Sequence, residues 1–88
     1  MGKPVVLILG AGAGIGGHVA KRFAREGYHA CVARRSDKAG LDQLVDEIRV
    51  AGGLATGFMI NAVEEGSIEQ LVTHIETNIG PITVAIFN

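Results

Sequence analysis

The sequence predicts an α/β domain: a doubly wound parallel sheet, β-α-β-α-β-α-β, with strand order 3-2-1-4 and helices on both faces. Three observations predict it. Four short apolar runs alternate with amphipathic helical patterns. A glycine-rich stretch separates the first run from the first helical pattern. Each helical pattern ends at glycine. Runs rich in Val and Ile, apolar on both faces, suit strands buried inside a parallel sheet.

Strand 1 is Val5–Leu9, bounded by Pro4 and Gly10. Helix 1 follows, with Ile15, Val19, Phe23, Ala20 and Ala24 on one face, and stops at Gly27. Ala30–Ala33 is strand 2. Leu41, Leu44, Val45 and Ile48 fall at i, i+3, i+4, i+7 and predict helix 2, ending at Gly52-Gly53. Leu54–Ile60 is strand 3, broken by Thr56 and Gly57. Ile68, Leu71, Val72, Ile75 and Ile79 predict helix 3, closed by Gly80-Pro81. Ile82–Phe87 is strand 4. Ser36 and Ser67 are the expected caps of helices 2 and 3, Ser67 with Gln70 as a capping box. In this order strands 1 and 4 flank the switch point where such sheets bind ligands.

The chain has 88 residues and a formal net charge of −1. That balance gives no general attraction to nucleic acid or an anionic membrane, and no apolar run approaches the length of a membrane span. A single cysteine, Cys31, allows no internal disulfide, and the expected compartment is the cytoplasm. Cys31 sits inside strand 2, where a small buried hydrophobe is the better reading than a reactive thiol. His18, His29 and His74 lack metal-ligand spacing, so no metal site is expected. Phe58 and Met59 belong to strand packing. Glu64 and Glu65 favour a helix N-terminus rather than forming a catalytic pair.

The stretch LILGAGAGIGGHVAKRF, residues 7–23, needs a reason for so much bare backbone. A helix start exposes unpaired N–H groups and the positive end of the helix dipole, and glycine lets a phosphate approach them. The G-x-G-x-x-G match through Gly12, Gly14 and Gly17 has its first glycine too far from the strand end. Gly10-x-x-x-Gly14-x-Gly16 is placed correctly. Gly10, Gly12, Gly14, Ile15 and Gly16 are the candidate loop residues, with the N–H groups around 14–16 holding a pyrophosphate. The alternative is a turn that merely packs helix on sheet.

LGAGAGIGGHVAKRFAREG resembles the N-terminal T-G-x-x-x-G-I-G motif of the short-chain dehydrogenase/reductase family, with Leu9 where threonine is usual. CVARRSDKAGLDQL resembles the end of strand 2 in members that use NADP. MINAVEEGSIEQLV is similar to the D-V-x-D-x-x-S-V segment, with Asn61 in place of Asp. ITVAIFN resembles the start of D-V-L-V-N-N-A-G, with Asn88 on its second asparagine. The resemblance covers nearly the whole chain and implies a Rossmann-type fold. It implies adenine contact at Asn61 and the Ala62 N–H, and a structural, cofactor-edge role for Asn88. For Asn61 the plain alternative is that it only ends strand 3.

The end of strand 2 selects the cofactor. An acid there would accept hydrogen bonds from the ribose hydroxyls and repel a 2′-phosphate; a guanidinium pairs with that phosphate. Ala33 is followed by Arg34 and Arg35, and Asp37 comes too late to serve as the acid. NADP(H) is therefore favoured over NAD(H), with Arg34 first and Arg35 and Ser36 assisting. The alternative is that the arginines are solvated loop charges.

The family's serine and its Tyr-x-x-x-Lys pair have no counterpart here. The one tyrosine is Tyr28, and four residues on stands Val32. No catalytic residue is assigned. The expectation is that residues 1–88 are the N-terminal, NADP-binding half of a short-chain oxidoreductase, with the catalytic half absent and strand 4 a candidate edge for self-association. A non-catalytic nucleotide-binding or interaction module is the second reading. A methyltransferase using S-adenosylmethionine is the third; it lacks support because Ile8 stands where that motif carries an acid.

Overall fold

The computed structural model describes residues 3–10, 15–61 and 63–87, with Ile15 described by its backbone. The elements follow the expected order: β1 (Val5–Leu9), α1 (Ile15–Arg25), β2 (His29–Arg34), α2 (Lys38–Val50), β3 (Leu54–Met59), α3 (Ser67–Asn78) and β4 (Ile82–Phe87). The four strands form one parallel sheet in the order β3-β2-β1-β4.

The alternation of side chains along the central strands divides the core in two. Val6 and Ile8 of β1, with Ala30 and Val32 of β2, face α1 and α2. They meet Ala20, Ala24, Leu41, Leu44, Val45 and Ile48 there. Val5, Leu7 and Leu9, with Cys31 and Ala33, face α3 and meet Leu71 and Ile75. Every residue of β1 is buried, so an unbroken apolar run is what this position requires.

β4 departs from simple alternation. Val5 pairs with Ile82 but Val6 pairs with Val84, so Thr83 is an extra residue in the ladder. Because side-chain direction has period two, one extra residue exchanges the faces. Ile82 packs with the α3-side core, whereas Val84 and Ile86 pack on the α1/α2 side.

The expected caps need correction. Asp37, not Ser36, caps α2: its side chain accepts the Gly40 N–H. Gly66 precedes α3 with no side-chain cap, and Ser67 Oγ instead donates to the Asn61 carbonyl at 2.8 Å, so the capping box with Gln70 does not form. β2 begins one residue earlier and ends one later than expected. β3 ends at Met59, though the Ile60 N–H still donates to the Arg34 carbonyl at 2.9 Å. No helix among the described residues is long and apolar enough to cross a membrane.

Candidate functional site

The C-terminal ends of all four strands open onto one cleft of about 290 Å³. Leu9 and Gly10 line it from β1, Ala33, Arg34 and Arg35 from β2, Ile60, Asn61 and Val63 from the β3–α3 turn, Ile68 from α3 and Phe87 from β4. This is where a parallel sheet presents loops rather than paired backbone. Gly10 turns the chain out of β1. Its φ of 81° lies in the left-handed region that glycine enters freely, while its N–H extends the ladder to the Ala33 carbonyl at 2.8 Å. α1 then begins at Ile15 with no acidic residue in its first turn to offset the positive end of its dipole.

Of the residues expected at the site, Gly10, Arg34, Arg35 and Asn61 are brought together around the cleft. Gly16 lies in the first turn of α1. Ser36 stands exposed in the β2–α2 turn and does not line the cleft. Gly12, Gly14, Ala62 and Asn88 lie outside the described residues.

The two arginines differ. The Arg34 side chain is only 14% exposed, and its Nη1 lies 3.5 Å from Asp37 Oδ2. It also borders a second depression, between α1 and α2, with His18, Lys21 and Gln43. Arg35 is exposed beside Gly10 and has no ion-pair partner among the described residues. Asn61 does more than end the strand. Its Oδ1 accepts the Val63 N–H at 3.2 Å, and its carbonyl accepts from the Glu64 N–H and the Ser67 hydroxyl. Among the described residues its side-chain amide nitrogen makes no hydrogen bond.

The apolar walls of the cleft escaped the sequence reading. Val63 is 80% exposed and Phe87 68% exposed, and both stand beside the polar residues. Their signal in the sequence was position alone, at a strand end and in the following turn.

Other candidates have structural roles. Burial pushes the Cys31 thiol up to about 11, so it stays protonated and unreactive. Tyr28 packs edge-on against Phe23 with ring centroids 4.9 Å apart. His18, His29 and His74 stand on three separate elements. Among the described residues no group of three His, Cys, Asp or Glu side chains could hold a metal ion.

Comparison with known proteins points one way. The family model for short chain dehydrogenases matches residues 4–88. A short chain dehydrogenase of Pseudocercospora fijiensis is 35% identical over 81 residues, which is 91% of this chain and 26% of that protein. The crystal structure of a short-chain dehydrogenase from Rhodopseudomonas palustris superposes with a TM-score of 0.88 at 34% identity, covering 97% of this chain and 39% of the other. A metagenomic short-chain oxidoreductase crystallised in complex with NADP gives a TM-score of 0.87 at 26% identity, covering 93% and 37%. The chain therefore spans about a quarter to two fifths of the length of these proteins.

Proposed function

Because this chain belongs to the short-chain dehydrogenase family, we propose that it supplies the NADP(H)-binding part of an oxidoreductase that moves hydride between NADP(H) and a carbonyl or alcohol substrate. The observation that carries the choice of NADP(H) is the end of β2. Two guanidinium groups, Arg34 and Arg35, border the cleft there, and no carboxylate takes the ribose-binding position. The cofactor's nicotinamide gives or accepts the hydride. The residues of this chain bind and orient the other end of the molecule. Arg34 and Arg35 pair with the 2′-phosphate, Ile60, Asn61 and Val63 receive the adenine, and the backbone from Gly10 into α1 receives the pyrophosphate. The metagenomic relative bound to NADP supports this assignment by analogy.

Residues 1–88 contribute binding and no proton-transfer group in this reading, since Tyr28 is engaged with Phe23 and is not followed by a lysine at the family's spacing. The outer edge of β4 is the surface for pairing with a further strand or a second copy. A buried, protonated cysteine suits a reducing compartment such as the cytoplasm.

The test is a calorimetric titration of NADP+ and NAD+ into the wild-type protein and into Arg34→Ala/Arg35→Ala. The wild type should prefer NADP+ by about 10²-fold, the effect of two charge-assisted contacts of about 1.5 kcal/mol each. The double variant should bind both alike. A wild-type protein that binds NAD+ as well as NADP+ overturns the assignment.

A further inference from the structure

The N-cap of α2 holds a carboxylate that the cofactor reading does not use. Asp37 stands at φ 62°, three residues after Arg34. Its Oδ1 accepts the Gly40 N–H at 3.1 Å, and its Oδ2 faces Arg34 Nη1 at 3.5 Å. A guanidinium and a helix-start N–H are the kinds of donor that hold a phosphate. The absence of a side chain at position 40 makes room for the arrangement. A Cβ built there would lie 2.8 Å from Arg34 Nη1 and in direct collision with Asp37 Oδ2. The pair is unequal: Arg34 is largely covered, whereas Asp37 is 58% exposed and is the member free to turn toward solvent.

Resting on the reading of Arg34 as a 2′-phosphate receiver, we propose that Asp37 is a specificity-setting residue, an internal anion that occupies Arg34 and that a 2′-phosphate must displace. The phosphate carries close to two negative charges, so it repels the carboxylate as well as competing with it for the same guanidinium. NAD+ has neutral ribose hydroxyls at this point and meets neither effect. Asp37 therefore lowers affinity for NADP+ selectively and narrows the preference that the arginines create.

Asp37→Asn isolates the charge. Asparagine also caps helices and also tolerates the left-handed conformation. In calorimetric titrations, Asp37→Asn should bind NADP+ about 3- to 10-fold more tightly, a range set by one partly screened charge pair. NAD+ affinity should stay within about twofold, the spread of an unaffected contact. The NADP+ gain should shrink as salt is raised. It should shrink to the small part due to direct repulsion in an Arg34→Gln background, because the competition needs the guanidinium. Asp37→Ser, which caps without charge, should repeat the gain and separates the charge effect from any peculiarity of asparagine.

Unchanged or weaker NADP+ binding in Asp37→Asn and Asp37→Ser, with the wild type still preferring NADP+, overturns the competitor role alone. So does a gain of undiminished size in Arg34→Gln, which would be a general charge effect. A wild type with no preference for NADP+ overturns the cofactor reading, and this proposal with it.

Discussion

The two ends of the sheet are made by the same four strands and use their polar groups in opposite ways. At the end where the strands begin, each group named here is answered within the chain. The His29 N–H donates to the Pro4 carbonyl at 2.8 Å, and the His29 ring Nε2 shares a 2.8 Å hydrogen bond with Thr56 Oγ1. Arg49 donates twice to the Ala55 carbonyl, at 2.8 and 3.1 Å, and Glu76 accepts the Ile82 N–H. At the end where the strands finish, Arg35 is exposed without an ion-pair partner among the described residues, and Val63 and Phe87 stand open. The first end closes the fold, and the second carries the exposed groups that the proposed cofactor site uses. A positive charge is therefore not enough to mark a candidate site: Arg49 and Arg35 are both arginines near a strand terminus, and only Arg49 has a hydrogen-bond or ion-pair partner among the described residues.

Substitutions at the two ends should then separate stability from binding. Thr56→Val has the largest expected effect on folding. It leaves a part-buried histidine nitrogen without its partner, a cost of about 1 kcal/mol, or a fall in Tm of about 4–8 °C for a domain this size. Differential scanning calorimetry should show that fall while NADP+ affinity is unchanged. The charge-free variant Arg34→Ala/Arg35→Ala should show the reverse, a lost preference with Tm close to wild type. A Thr56→Val protein that melts normally but binds poorly would erase the distinction.

A smaller effect of the same kind comes from His29. Burial, and secondly the charge of Arg49, hold its pKa below the ordinary 6.5. The folded protein thus binds this proton more weakly than the unfolded chain. The stabilisation is complete above about pH 6.5 and is lost as pH falls from there through the folded value. Thermal melts across that window should show Tm falling with pH, and His29→Gln should flatten the fall. A fall of equal slope in the variant would assign it to other groups.

The central strands were legible because burial on both faces leaves only one solution, a short unbroken apolar run such as Val5–Leu9. The order β3-β2-β1-β4 followed from helices long enough to make crossovers. The face exchange at Thr83 was not legible: it is a property of register between β1 and β4, and no residue type announces it. The cap of α2 was misplaced by one residue because Ser36 and Asp37 are both good caps, and only the left-handed backbone at 37 decides between them. At the site, the arginines were legible by charge and position. The engagement of Arg34 by Asp37 depends on a side chain folding back over the first helical turn, which spacing alone does not reveal.

The most direct measurement is a crystal structure of the protein with NADP+. The 2′-phosphate should lie within about 3 Å of the guanidinium of Arg34 or Arg35, the distance of a charge-assisted hydrogen bond, with the adenine against Ile60 and Val63. A 2′-phosphate turned to solvent, or a dinucleotide seated in the depression between α1 and α2, would contradict the division of the sheet into a closed end and a binding end.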